Sequence, residues 1–479
     1  MAHSHHHDHD GPVPLGQAAR WVVIGVLSLA AVAVAIGLVV LWPSSGQDHP
    51  IPMQFRSADG GPIRTQTGVV VAMSRADCGN QMVGIAVDAQ ETLGVTPTAD
   101  GPCRAATVRL RDGEDKGKYV LLQIPTNRAQ AGTGPGQPEP DLATADDPQP
   151  GQPTLHVDDT IRLSAMPGYD GSPRYTFYDF ARGSSVIVWA ILFVLAIVLV
   201  AAWKGLRSII GLVFAFGVLG VFTLPSILQG HSPVAVAVTS SALILFVVLY
   251  LAHGVSMRTS AALVGTLVSL VIAALLSWLA IHTMDIAGLS GDQAMSLQVY
   301  QGRISMSGLL LAGFIIGALG VLNDVTITQA SATFELAAAG EPSRLATFRA
   351  AMRVGRDHIA STVYTLVFAY AGSALPLLLL FSVASQPFGS LLTTDQVAIE
   401  LARAFVGGIA IALSVPLTTA VAAELKVPAF TAYTLPDANG ARISERGGVR
   451  GAMGVKVSLL LISVPSAGRG GCTGSSAPR

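Results

Sequence analysis

Charge is what this chain has least of. Acidic and basic residues together make up 12% of it, against roughly 25% in an ordinary soluble domain, which excludes a conventional water-soluble fold. The charges present nearly cancel, for a formal net of −1, so there is no basic surplus for binding nucleic acid. Cysteines number 3 in 479 residues, too few for a disulfide-built scaffold. No Gly-x4-Gly-Lys-Ser/Thr phosphate loop, nucleophile elbow or His-Glu-x-x-His signature occurs, and no nucleophile-and-base pair falls within an apolar run. No enzymatic activity and no cofactor are expected.

What is abundant is hydrophobicity, at 51% of residues, much of it in uncharged runs. About 20 residues of helix cross a bilayer, and eight spans are predicted, near 21–42, 185–203, 208–228, 234–252, 260–282, 305–323, 359–383 and 404–423. The expected class is an all-α helical membrane bundle with a small extracytoplasmic β-barrel-like domain inserted after the first helix. Its parts are a His-rich cytoplasmic tail (1–20), transmembrane helix 1 (21–42), the β domain (43–183), a transmembrane domain of helices 2–8 (184–424) and a cytoplasmic tail (425–479).

Orientation follows from the basic residues of the short loops. With the N-terminus inside, Lys204, Arg207, Arg258, Arg344, Arg349, Arg353 and Arg356 face the cytoplasm, and Arg303 and Arg403 lie outside. An even number of spans puts the C-terminus inside as well. The first span has an apolar core of about 20 residues, longer than a signal peptide's usual 7–15, and is expected to remain as an anchor. The location implied is the cell membrane, with the lipid bilayer as first partner.

Between the first two spans the texture changes. Thr67–Met73, Met82–Val87, Ala105–Leu110, Tyr119–Ile124 and Leu155–Leu163 are short, β-branched and separated by turn residues, which reads as a small barrel. Residues 129–153, rich in Pro, Gly, Asp and Gln, read as a flexible insertion. Cys78 and Cys103 are the only cysteines of this domain. A disulfide between them would close a loop of about 25 residues and stabilise the domain by roughly 3 kcal/mol; two buried free thiols are the alternative. At the N-terminus His3, His5, His6, His7 and His9, with Asp8 and Asp10, could hold Zn²⁺, Ni²⁺ or Cu²⁺ loosely, or form a plain solvated tail.

The sixth span carries the main candidate site. Gly313, Gly317, Gly320, Asp324, Thr328, Ser331 and Glu335 step by 4, 3, 4, 4, 3 and 4, which keeps them on one face within roughly 80°. Its upper half is a glycine track for close helix packing. Its lower half begins with Asp324, an expensive residue to place in a membrane. The seventh span repeats the pattern with His358, Thr362, Thr365, Ala369, Gly372 and Pro376, so the two small faces are expected to pack together, with Arg353, Arg356 or His358 meeting Asp324. In one reading the glycines pack and Asn323 with Asp324 only caps the span. In the other Asp324 is a proton or cation site, and Asn323, Thr328, Ser331, Glu335, Arg356, His358, Thr362 and Thr365 line it.

The stretch from Gly317 through Asn323-Asp324 to Glu335, then Gly355-Arg-Asp-His-Ile359, Ala369-Tyr-Ala-Gly372 and Val415-Pro-Leu-Thr-Thr419, resembles the YibE/F family of bacterial multi-pass membrane proteins. Tyr175 to Arg182 and Lys204-Gly-Leu-Arg-Ser208 fit it too. Asn323 stands where that resemblance leads one to expect an acid. The resemblance implies topology and location, not a reaction. A weaker, partial likeness of the last three spans to SecD, SecF and RND-type permeases suggests proton coupling by analogy of fold. The function expected is a permease or transporter subunit with its site at Asp324; the alternative is a non-transporting scaffold or sensor whose β domain binds an envelope protein partner.

Overall fold

A computed structural model describes residues 17–44, 51–57, 61–130, 144–168, 173–289, 291–340, 343–383 and 387–425. The histidines at 3, 5, 6, 7 and 9 and the tail beyond 425 lie outside the described residues. The first described element is α1 (Gln17–Val40), whose exposed Val22, Leu29, Val32 and Val39 leave an apolar outer surface.

The β domain follows as β1 (Arg64–Ala76), β2 (Ala86–Val87), β3 (Cys103–Leu110), β4 (Tyr119–Pro125), β5 (Thr160–Pro167) and β6 (Pro173–Phe180). They form one curled antiparallel sheet in the order β2-β4-β3-β1-β5-β6. Residues 83–85 join its two edges: Val83 bridges Leu121 on β4, and Ile85 bridges Arg174 on β6. Gly84 is needed there, because its φ is +78° and a Cβ would lie 2.8 Å from the Tyr175 carbonyl oxygen. Strand β1 is long enough to serve both neighbours and carries a bulge between Val70 and Ala72. Its inward residues join Val108, Leu110, Val120, Ile161, Leu163 and Tyr175 in a closed apolar core. Strand β6 was not foreseen among the expected strands, yet it closes the barrel.

Cys78 and Cys103 are disulfide-bonded, with Cα atoms 5.3 Å apart. Part of the segment expected to be flexible is tied down. Thr126 bridges Pro148, Asn127 Nδ2 donates to the Thr144 carbonyl at 2.9 Å, and Asp146 pairs with Arg75 and Arg128.

The remaining helices are α2 (Gly183–Val218), a π-helical turn (Leu219–Thr223), α3 (Leu224–Leu228), α4 (Pro233–His253), α5 (Met257–Thr283), α6 (Asp292–Tyr300), α7 (Met306–Ala338), α8 (Arg344–Ser373), α9 (Leu375–Val383), α10 (Phe388–Leu392) and α11 (Asp395–Glu424). Serines cap three of the long ones: Ser256, Ser305 and Ser343 accept from the amides of Thr259, Gly308 and Ala346. Pro225 has no N–H for the Val221 carbonyl, and the π turn stands just before it.

Among the described residues six helices are long and apolar enough to cross a membrane, or seven if the bent pair α8 and α9, 56° apart, counts as one. The difference from the expected eight lies at 183–228, a single 46-residue helical run by hydropathy. That run is not straight. Ala202 has φ 47° and ψ −130°, and past it the chain returns, so that Phe193 and Ile197 line the same groove as Ser208 and Leu212. In a straight helix Phe193 and Leu212 would stand about 28 Å apart.

The bundle packs around α5, α7 and α11, with α4 against α7 and α8 against α11. Its ends are identifiable. Ser226 Oγ donates to the Leu41 carbonyl at 2.8 Å and Ser44 N donates to Gln229 Oε1 at 2.7 Å, fixing α1 and α3 at the β-domain end. At the opposite end Arg258 pairs with Glu335 at 3.5 Å and Arg344 with Glu424 at 2.7 Å.

Candidate functional site

The helix that carries the stripe is longer than expected. It runs from Met306 to Ala338, so Asp324 lies mid-helix, with about 21 Å of helix beyond it, and neither it nor Asn323 caps anything. The next helix likewise starts at Arg344, not 359, and α11 at Asp395, not 404.

The stripe also faces the other way. Gly313, Gly317, Gly320, Asp324, Thr328 and Glu335 are all exposed, and Ser331 is half-buried. A Cβ at Gly313, Gly320 or Gly372 would meet nothing within 4 Å, and one at Gly317 only the Tyr370 hydroxyl, at 3.8 Å. The expectation that Gly313, Gly317, Gly320 and Gly372 pack one helix on another within the chain is therefore corrected. Helix α7 turns its bulky side inward, with Leu311, Phe314, Ile315, Leu322 and Val325, because burying those side chains outweighs bringing two backbones together.

Around Asp324 the expected partners are absent. No hydrogen bond or ion pair reaches its carboxylate among the described residues, Arg356 and Arg353 are exposed without one, and Glu335 is committed to Arg258. The Thr362 hydroxyl is turned back to the His358 carbonyl at 2.8 Å and that of Thr365 to Ser361 at 3.1 Å, as threonines in apolar helices commonly are. His358 Nε2 and Asn323 Oδ1 are buried without a partner. Asn323 and Gly320 line a groove of about 280 Å³ whose far wall is the α2 bend, with Phe193, Ile197, Ser208 and Leu212.

A second polar layer was missed, on the opposite side of α7. Thr326, Gln329 and Thr333 are at most 2% exposed. Thr326 Oγ1 lies 2.5 Å from Thr266 Oγ1 on α5, and Gln329 Nε2 donates to the Ala351 carbonyl on α8 at 3.1 Å and to Thr419 Oγ1 on α11 at 2.7 Å. One amide group thus ties three helices. The close backbone approaches are here too. A Cβ at Gly355 would lie 2.5 Å from Val415 Cγ1 and 2.9 Å from Gln329 Oε1, and one at Gly407 would lie 2.7 Å from Leu366 Cδ2. Thr418, two residues past the helix-interior Pro416, is fully buried with its hydroxyl unpartnered. The signal for this layer was present in the 3- and 4-residue steps of Thr326, Gln329 and Thr333.

A third cluster sits toward the β-domain end. Arg403, expected in a loop, lies two turns inside α11, between the rings of Phe314 (5.3 Å) and Tyr370 (5.5 Å) and paired with Glu400 at 3.0 Å. Such stacking suits a guanidinium that has left water. Among the described residues no group of His, Cys, Asp and Glu could hold a metal ion.

Residues 189–427, from the α2 bend to the buried Thr418–Thr419 pair, match the family described as YibE/F-like protein. Over that region the chain belongs to the YibE/F-like family. No curated protein and no solved structure gives a match, and nothing supports the likeness to SecD, SecF or RND-type permeases. The YibE/F-like region takes in all three polar clusters and excludes the β domain.

Proposed function

We propose that this YibE/F-like chain is a multi-pass membrane permease, or a subunit of one, and that Asp324 is its proton or cation site. The observation that carries the reading is the composition of one surface. Every other long apolar helix exposes large hydrophobic side chains: Val22 on α1, Trp189 on α2, Val238 on α4, Leu275 on α5, Phe368 on α8 and Phe405 on α11. Helix α7 exposes none, and at the middle of its outer face stands a carboxylate without a partner. Placing an aspartate at the centre of a membrane helix costs about 2.5–3.5 kcal/mol, a cost that a proton or a bound cation offsets. Intramembrane carboxylates mark ion pathways for that reason.

The end of the bundle holding Lys204, Arg207, Arg258 and Arg344 is assigned to the cytoplasm, with both termini there and the β domain outside, in the cell membrane. No enzymatic step is assigned to it.

The test is ion flux in proteoliposomes, comparing wild type with Asp324→Asn and Asp324→Glu at matched membrane abundance. A site that changes charge loses at least tenfold in flux with Asn and keeps part of it with Glu. Full flux in the Asn variant overturns the assignment. The second reading, a scaffold or sensor, is favoured by one observation: the barrel carries a cleft of about 540 Å³ lined by Arg64, Gln66, Glu114 and Tyr175, large enough for a peptide segment of an envelope partner. Absence of flux together with capture of an envelope protein by the β domain would select it.

A further inference from the structure

The outer face of α7 is unlike a surface made for lipid. Its exposed residues are Gly313, Gly317, Gly320, Asp324, Thr328, Glu335 and Ala338. Lipid chains cannot hydrogen-bond a carboxylate and gain little contact from glycine. A second helix gains from both, since Gly313 and Gly317 are spaced as Gly-x-x-x-Gly, which lets two backbones approach closely.

Charge complementarity says what the second helix belongs to. Helices α7 and α8 are antiparallel, and Gln329 on the first bonds the carbonyl of Ala351 on the second. Five residues toward the β-domain end from Gln329 is Asp324; five residues the same way from Ala351 is Arg356. The two charges therefore stand at one level, about 7.5 Å of rise from a shared hydrogen bond. They do not meet within the chain. The buried line of α8 is Thr347, Ala351 and Gly355, and Arg356, exposed and without a partner among the described residues, lies on its outward side. Each copy thus presents outward, at one depth, a carboxylate and a guanidinium with nothing to pair with. A two-fold axis brings like faces together, and two aspartates at such an axis repel unless each meets a cation at its own level.

We infer that the α7 face closes on the same face of a second copy of this chain, with Asp324 of each copy paired to Arg356 of the other. The Asp324 site is then complete only in the dimer. The inference rests on the proposed function only in placing α7 within the membrane.

The test uses the full chain in its own membranes, with Cys472→Ser to remove the third cysteine of the sequence. Gly317→Cys should give covalent dimers with a short bis-maleimide, at least tenfold more than Leu275→Cys on the exposed face of α5. Asp324→Arg should cut the dimer fraction about tenfold, and adding Arg356→Asp should restore it to within about threefold. Equal cross-linking at 317 and 275, a folded monomer by mass in nanodiscs, a cross-linked product of some other mass, or no rescue by the charge exchange would each overturn the inference. Because the readout is mass and not flux, it fails separately from the permease reading: dimers without flux remove the permease and keep the interface, and flux from monomers does the reverse.

Discussion

The barrel and the helical bundle bury opposite things. The barrel hides Val70, Val108, Leu121, Ile161 and Leu163 at 0% exposure and leaves its charges outside, in pairs such as Arg128–Asp146 and Lys118–Asp115. The bundle hides Thr266, Thr326, Thr333, Ser414, Thr418 and Thr419, also at 0%, and turns Trp189, Leu199, Leu275 and Phe368 outward. Under the proposed membrane placement, the difference follows from the solvent each region would face. Water satisfies polar groups at a surface, so the barrel buries few, Thr107, Thr126 and Ser164 among them. Lipid satisfies none, so in the bundle every hydroxyl does better against another helix, most often by donating to a carbonyl one turn back, as Ser277 does to Ala273. The outer face of α7 is the exception: a surface of barrel-like composition in the bundle's place, and hence the one to test for function.

The sharpest way to break the comparison is to exchange the roles of two glycines. Gly355 faces inward against Val415 and Gln329, whereas Gly320 faces outward with nothing within 4 Å of a would-be Cβ. Gly355→Leu should cost above about 4 kcal/mol, because two helices and the buried amide must all move. Gly320→Leu should stay within about 0.5 kcal/mol for the single chain, as at an open surface site. Denaturation in dilute detergent measures both. Equal losses would mean that α7 does not show its stripe outward.

A smaller effect sharpens the barrel side. The barrel depends on its apolar core, on a few buried hydroxyl bonds such as Ser164 to Thr176 at 2.8 Å, and on the Cys78–Cys103 closure. Cys78→Ser should cost about 3 kcal/mol, the loop-closure value for a ring of 25 residues. Amide exchange in β3 and β4 should then quicken while α5, α7 and α11 keep their protection. A uniform change across both regions would show that they unfold as one unit.

How much of this the sequence revealed differs by link. Helix and strand positions were legible wherever period and composition agree: β3 and β4 start or end within a residue or two of the expected bounds, as does α4. Strand β6 was not, because Pro173, Arg174, Thr176 and Tyr178 interrupt its apolar character and only the Tyr175 side chain is fully buried. The length of α7 was misjudged because Thr326, Gln329, Ser331 and Thr333 look like the polar end of a span. Three of those four side chains are instead buried against α5, α8 and α11. The stripe itself was legible as a period, but not its direction. A 3.6-residue repeat says which residues share a face and nothing about what lies opposite; here the burial of Leu311, Phe314, Ile315, Leu322 and Val325 on the other side of α7 settles it, with Gln329 bonded to partners 22 and 90 positions away, Ala351 and Thr419.

The smallest effect is acid titration of the barrel. Asp115 accepts from Lys118 at 2.8 Å and from the Tyr175 hydroxyl at 2.7 Å, and these bonds hold its carboxyl below the usual 3.8 despite partial burial. The same burial and the bond to Asp115 push the Tyr175 hydroxyl well above its ordinary range, so the proton stays on the tyrosine as the donor. A carboxylate whose folded pKa is depressed adds stability that is fully present above its unfolded value, 3.8 here, and is lost as pH falls through the folded value. Exchange protection in β6 should accordingly weaken below pH 3.8 and hold steady above it. Asp115→Asn should remove that pH dependence while lowering the plateau, since the amide can still accept from Tyr175 but no longer pairs with Lys118. An unchanged pH profile in the Asn variant would assign the acid sensitivity to Asp146 or Asp179, the other carboxylates of this domain whose hydrogen bonds hold them below the ordinary range.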